Sequence, residues 1–178
     1  IPIGIENENF CFRDGHGIGY TEKVKEKKIL IDTYKSIIPN KKIYSNFNID
    51  TNYHHRSEVK KISIECPHID WEENNLSLPE YYKKMSDYES IVCPAGNGVD
   101  THRLWETLYM NKIPITIKMG NFKIYELYEQ LPILILDNIL ELYDFDFINK
   151  KIEQIKSKNY NYNLLDVDFW KKTISYEN

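Results

Sequence analysis

The stretch ESIVCPAGNGVDTHRLWETLYMNKIPITIK, residues 89–118, decides how the rest of the chain can fold. It contains two apolar runs, ESIVC and IPITIK, with the length and composition of strands. Between them lie a turn with Gly96 and Gly98 and a segment, THRLWETLYMN, with the apolar spacing of a helix. A helix that connects two buried strands predicts a βαβ unit, in which the strands run parallel in one sheet.

The same alternation continues on both sides of this unit. Downstream, the helical pattern NFKIYELYEQ and the strand PILIL precede a helical tail. Upstream, we expect a strand near Ile43 to Phe47 and helices at about residues 22–38, 52–61 and 76–88, the last with Pro79 in its first turn. ISIECPHIDW fits either type of element. The chain is therefore predicted to have an α/β fold, a Rossmann-like parallel sheet with helices on both faces.

The pattern divides the chain at about residue 40. The first twenty residues, IPIGIENENFCFRDGHGIGY, are rich in glycine and polar side chains and predict a loop region. Residues 1–40 are thus expected to form an N-terminal loop and helix segment, and residues 41–178 the Rossmann-like domain with its helical tail. The first residue is Ile1 rather than Met, which is consistent with a piece of a longer protein.

The composition is that of an ordinary globular protein and narrows the classes of function. Hydrophobic residues make up 42% of the 178 residues and charged residues 28%, and the formal net charge is −4. Nucleic-acid binding without sequence preference needs clustered Lys and Arg, so the acidic balance argues against it. No apolar run approaches the roughly 20 residues of a membrane-spanning helix. Cys11, Cys66 and Cys93 form no evident disulfide framework, which favours a reducing, cytoplasmic compartment.

The turn at residues 96–98 has the chemistry of an anion site. Ligands of open α/β sheets bind beyond the carboxyl ends of the strands, and this turn directly follows a strand. Gly96 and Gly98 let the backbone approach a ligand closely, and the start of the next helix favours an anion. Arg103 can donate a fork of hydrogen bonds to phosphate oxygens, and Glu106 can accept from paired hydroxyls such as those of a ribose. Together these groups suit a nucleoside diphosphate.

The same residues have structural alternatives. Asp100 or Thr101 can simply cap the helix, and Arg103 and Glu106 can form a surface ion pair three residues apart. His102 alone is more often structural than catalytic. A dinucleotide-binding fingerprint does not fit, because Thr101 stands where its third glycine or alanine belongs. The chain also has no Gly-Lys-Ser/Thr sequence of a P-loop.

PAGNGVDTHRLWETLYMNKIPI, residues 94–115, resembles the donor-binding segment of exostosin-like glycosyltransferases, which have the GT-B fold. That family carries the pattern Pro-x-Gly-Asn-Gly-x-Asp-x-His-Arg-x-Trp-Glu-x-Leu-Tyr-x-x-x-Ile-Pro-Ile in its C-terminal half. IPIGIEN, YSNFNIDTNYHHR and LPILILD are similar to other segments of the family, so the resemblance spans most of residues 1–140. Thr107, where Ala is more usual, and Asn111-Lys112, where a helix end with Gly is common, depart from the pattern away from the proposed chemistry.

The resemblance implies the nucleotide-sugar-binding lobe of a metal-independent glycosyltransferase. Such an enzyme transfers a sugar from a UDP- or GDP-linked donor to a hydroxyl of a glycan or other acceptor, and no separate cofactor is implied. Arg103 would contact the diphosphate, Glu106 would bind the ribose, and the loop of residues 96–98 would line the phosphate site. The further candidates for donor contacts are Asn7, Asn48, Arg56, Asn97, Asp100 and His102. For Arg56, a charge on the surface of a helix is an equally good interpretation.

The acceptor hydroxyl needs a general base, which in this fold commonly comes from the other lobe. Within the chain the weak candidates are Glu6, Asp14 and His16. Glu6 and Asn7 are also expected either to face the cleft between the lobes or to belong to a plain loop.

Four other interpretations compete with a metal-independent transferase. A metal-dependent glycosyltransferase uses an Asp-x-Asp motif, and the chain has two, at residues 144–146 and 166–168, but both lie in the helical tail. Cys66-x-His68 and His54-His55 suggest zinc, but no second pair completes a tetrahedral set. A non-catalytic domain that binds a nucleotide or a saccharide, or a purely structural α/β module, also fits the polar turn.

Overall fold

The computed structural model describes residues 19–175 and shows an α/β fold built around a parallel sheet. Its strands are β1 (Lys41–Ser45), β2 (Ile69–Trp71), β3 (Tyr88–Val92), β4 (Ile113–Ile117) and β5 (Leu134–Leu136). Its helices are α1 (Gly19–Tyr34), α2 (Tyr53–Glu65), α3 (Leu78–Ser86), α4 (His102–Tyr109), α5 (Ile124–Tyr128), α6 (Phe145–Lys156) and α7 (Val167–Ser175). The predicted Rossmann-like fold class is confirmed.

The sheet has the strand order β2-β1-β3-β4-β5, and all neighbouring strands are parallel. In its centre, Ile43 of β1 lies opposite Ser90 of β3, and Ile91 lies opposite Pro114 of β4. Every residue of β4 is buried. Parallel strands joined by helical crossovers are covered on both faces, which explains why these strands appear in the sequence as almost continuous apolar runs.

Two apolar clusters hold the helices against opposite faces of the sheet. One face carries α1, α3, α4 and α5, with a fully buried aromatic core of Tyr44, Tyr82, Tyr88, Trp105 and Tyr128. The other face carries α2 and α6 through buried aliphatic side chains, among them Val59, Ile62, Ile148 and Ile152. This two-sided burial fixes where the loops at the carboxyl ends of the strands lie.

The structure refines several predicted boundaries. The segment ISIECPHIDW combines the end of α2 with β2, a three-residue edge strand. α1 begins at Gly19, inside the predicted loop, and ends at Tyr34, so Ile37 and Ile38 beyond it are exposed rather than helical. Pro79 lies in the first turn of α3, as predicted. Within residues 19–175, no helix is long and apolar enough to cross a bilayer.

Candidate functional site

The strand order creates a crevice between β1 and β3. After β1, the chain forms α2 on one face of the sheet and then continues to β2. After β3, it forms α4 on the opposite face and then continues to β4. The two loops diverge there, and ligands of open α/β sheets bind at this switch point, outside the carboxyl ends of the strands. Residues 46–52 after β1 and residues 93–101 after β3 contribute the loops. The candidate residues of the glycine turn therefore lie where this fold binds ligands.

Arg56 on α2 joins these two loops. Its Nη1 donates to the carbonyl of Asn48 at 2.6 Å, and its Nε and Nη2 donate to the carbonyls of Ala95 at 2.9 Å and Pro94 at 3.1 Å. The side chain is only 7% exposed, so the interpretation of Arg56 as a surface charge is wrong. Burial and the neighbouring charge of Arg103 lower the pKa of Arg56 to about 10, and it therefore stays charged at neutral pH.

Gly96 is required by the packing of Arg56. A Cβ at Gly96 would lie 2.9 Å from Nη2 of Arg56 and 3.4 Å from the hydroxyl of Thr51. Asn52 also fixes this turn, because its Nδ2 donates to the carbonyl of Gly96 at 3.2 Å. By contrast, a Cβ at Gly98 would contact only the carbonyl of Asp100, at 3.8 Å. Of the two glycines, Gly98 is the one whose missing side chain leaves open space for a ligand.

Arg103 lies in the first turn of α4 and is partly buried. Its Nη1 donates to the hydroxyl of Tyr81 at 2.6 Å, and its guanidinium carbon lies 4.8 Å from the centre of the Tyr81 ring. A cation over an aromatic face is held in place while its other N–H groups stay able to bind an anion. α3 therefore positions the arginine that was predicted to contact the diphosphate.

Glu106 pairs with a lysine that sequence reasoning did not identify. Its Oε1 lies 2.7 Å from Nζ of Lys27 on α1, and the two residues are 6% and 8% exposed. The alternative interpretation, in which Arg103 and Glu106 form an ion pair on the surface, is therefore wrong, because Glu106 is buried. The ion pair with Lys27 places α1 over the carboxylate that was predicted to bind a ribose.

Asp100 connects the start of α4 to α5. Its Oδ1 accepts hydrogen bonds from Nε1 of Trp105 at 2.7 Å and from the hydroxyl of Tyr128 at 2.8 Å. Thr101 occupies the N-cap position of α4, but its side chain makes no capping hydrogen bond, so capping by Thr101 is wrong. These contacts give Asp100 a positioning role at the turn.

The remaining candidates differ in how accessible they are. Asn97 is exposed at the tip of the turn, and His102 is partly buried at the first residue of α4. Asn48 is exposed, and its Oδ1 accepts from the backbone N–H of Asp50 at 3.0 Å, which stabilises the loop after β1. Glu6, Asn7, Asp14 and His16 lie outside the described residues.

A groove of about 660 Å³ opens beside the glycine turn. One wall is formed by residues 95–100 and the other by Met119 and residues 122–124 after β4, and Asn52 also lines the groove. Phe122 lines this groove and is 56% exposed. An aromatic residue in the loop after a core strand is a sequence signal that could have identified this wall.

The motifs that suggested metals have structural roles. Sγ of Cys66 donates to the carbonyl of Leu142, and a ring nitrogen of His68 lies 2.8 Å from the same oxygen. The first aspartate of each Asp-x-Asp sequence, Asp144 or Asp166, accepts a backbone N–H at the start of a helix. Among the residues that the structure describes, no group of three or more His, Cys, Asp or Glu side chains is placed to hold a metal ion.

Two comparisons with known proteins found no match to this chain. The sequence matches no model of a known protein family, and it matches no curated protein.

Proposed function

We propose that this chain is the nucleotide-sugar-binding lobe of a glycosyltransferase, which transfers a sugar from a nucleoside-diphosphate donor to a hydroxyl acceptor without a metal ion. The observation that carries this proposal is the pair of arginines at the switch point. Arg56 binds backbone carbonyls and Arg103 binds the Tyr81 hydroxyl. Among the described side chains, neither arginine has a carboxylate as an ion-pair partner.

Two guanidinium groups without an ion-paired carboxylate among residues 19–175 favour an anion in the crevice. Arg103 reduces the pKa of Arg56, so the two positive charges are close enough to repel one another. A diphosphate between them would relieve this repulsion, and the positive end of the α4 dipole would attract the same anion. When the bond between the sugar and the diphosphate breaks, negative charge grows on the phosphate oxygens. Positive groups fixed at that point stabilise the leaving group.

The ribose is assigned to Glu106, one turn further along α4. A carboxylate accepts hydrogen bonds from two neighbouring hydroxyls, which suits the ribose edge of a nucleotide. Since Glu106 is paired with Lys27, the donor has to displace this ammonium group or share the carboxylate with it.

The general base is assigned to no described residue of the site. Glu106 is held by Lys27, and Asp100 accepts hydrogen bonds from Trp105 and Tyr128. A base must reach the acceptor hydroxyl, and both carboxylates are engaged inside the fold. This observation favours a second candidate function, a domain that binds the nucleotide sugar without turning it over.

Calorimetric titration with UDP, GDP and their sugars tests the proposal. We expect binding to the wild-type chain and a loss of about 10- to 100-fold in affinity for Arg103→Ala, because a charge-assisted hydrogen bond to phosphate is removed. Lys61→Ala, which removes an exposed positive charge from α2, is the control. If no nucleotide or nucleotide sugar binds, both candidate functions are wrong. If they bind, release of free nucleoside diphosphate from the donor distinguishes the transferase from the binder.

A further inference from the structure

The groove beside the glycine turn extends the proposed site in one direction. It lies between residues 95–100 and Met119 with residues 122–124, on the β4 side of the turn. Glu106, in contrast, points towards α1, which packs on the helical face that also carries α3. Glu106 is not among the residues that line the groove.

A nucleotide sugar is a linear molecule in which the diphosphate joins the ribose to the sugar. With the diphosphate at the two arginines and the ribose at Glu106, the other end of the donor continues past the glycine turn. The groove is lined by the same turn and is therefore a space beside the phosphate site that can take this end. Gly98 leaves room for this path, because a Cβ there would contact no atom closer than 3.8 Å.

The lining of the groove fits a sugar ring. A pyranose has an apolar face of C–H bonds and a rim of hydroxyls, so it suits a flat apolar surface next to a few hydrogen-bonding groups. Phe122 supplies the flat surface, while the exposed side chains of Asn97 and Lys123 supply an amide and an ammonium group.

The ring of Phe122 lies close to the turn before it. Gly120 has φ +64°, in the left-handed region, and a Cβ there would lie 3.4 Å from the Phe122 ring. The ring thus rests against the backbone of the turn and presents its other side outwards.

From these observations we infer that the groove lined by Phe122, Gly98 and Asn97 binds the sugar of the donor, with Phe122 as the stacking surface. The inference rests on the proposed function, since the direction of the donor follows from the assigned phosphate and ribose sites.

The first test compares each nucleoside diphosphate with its sugar conjugates by calorimetry. We expect Phe122→Ala to weaken the nucleotide sugar that the wild-type chain binds best by about tenfold, the usual order for loss of one aromatic contact, and to leave the free nucleotide unchanged. Tyr162→Ala removes an equally exposed aromatic side chain from another groove and serves as the matched control. Equal weakening of nucleotide and nucleotide sugar would overturn the inference, as would no change in either.

The second test does not depend on nucleotide binding. Free glucose, galactose, mannose and N-acetylglucosamine at millimolar concentration should shift the amide NMR signals of Gly98, Gly120 and Phe122 in the wild-type chain, and the shifts should vanish in Phe122→Ala. If sugars shift these signals but no nucleotide binds, the groove is a saccharide site and the proposed donor function fails. If no sugar shifts them, the inference fails even where nucleotides bind.

Discussion

The ammonium group of Lys27 on α1 lies 2.7 Å from the carboxylate of Glu106 on α4, and the two side chains are almost completely buried. A charge in such a position needs its partner, because removal of one member leaves the other without compensation inside the protein. The pair also occupies the carboxylate that the proposed site assigns to a ribose. If Glu106 binds a ribose as proposed, stability and donor binding compete for its carboxylate.

Lys27→Met is expected to affect these two properties in opposite directions. The free energy of unfolding should fall by about 3–5 kcal/mol, because Glu106 loses its buried partner, while the affinity for a nucleoside diphosphate should rise. Urea unfolding and calorimetry measure the two effects, with Lys28→Met, at an exposed position of the same helix, as control. A weaker affinity of Lys27→Met would show that the lysine assists binding and does not compete with it.

The two glycines of the turn should respond differently to the same substitution. Gly96→Ala places a methyl group 2.9 Å from the Arg56 guanidinium, so we expect a loss of about 1–3 kcal/mol in stability, as for an overpacked core. Gly98→Ala meets open space and should change stability by less than about 0.5 kcal/mol, as at an ordinary surface position, but reduce donor affinity. Thermal unfolding and calorimetry of both variants test this contrast. Equal stability of the two variants would contradict it.

Replacement of Arg56 should reduce the stability of the fold even when the new residue is lysine. Arg56→Met leaves three backbone carbonyls without their donors, which should cost about 3–5 kcal/mol of stability given the cost of unsatisfied buried groups. Lysine carries one compact ammonium group and cannot reproduce the planar fork, so Arg56→Lys should recover only a small part of this loss. Urea unfolding of both variants measures the difference. Wild-type stability of Arg56→Lys would mean that the charge matters and the geometry does not.

Glu89 should contribute to the acid sensitivity of the fold. Burial raises its pKa, but hydrogen bonds from Lys156 and Lys42 outweigh burial and hold the pKa of Glu89 below its ordinary value of 4.5. A carboxyl whose pKa is lower in the folded state stabilises the protein above its unfolded pKa, and this contribution disappears as the pH falls through the folded pKa. The wild type should therefore exceed Glu89→Gln in unfolding free energy at pH 7 and lose this advantage in acid. A difference that stays constant with pH would contradict the role of its ionisation.

The sequence predicts the central strands well because their burial on both faces leaves a continuous apolar signal. β2 was ambiguous for a physical reason: it is a short edge strand, and its middle residue, Asp70, is exposed. α1 was predicted to continue to residue 38 because Ile37 and Ile38 extend its apolar pattern, yet both side chains are exposed beyond the end of the helix.

The motif at residues 94–115 indicated which residues gather at the site but not what each of them contacts. Arg56 stands in a polar helical segment, where an arginine is usually exposed, and only the tertiary structure shows that it binds the loop after β3. Lys27 is distant from Glu106 in the chain, and no local pattern connects them. Pairings between remote elements depend on the packing of the helices, which periodicity does not report.

The three hydrogen bonds of Arg56 also link the site to the folding of the whole domain. They form only when the loops after β1 and β3 are both in place, and these two strands pair at the centre of the sheet. A loop that is hydrogen-bonded to the central strands loses its structure only when the cooperative unit that contains these strands unfolds. It does not fray locally. The crevice therefore belongs to the most protected part of the molecule, and hydrogen exchange of the amides in its loops should follow global unfolding.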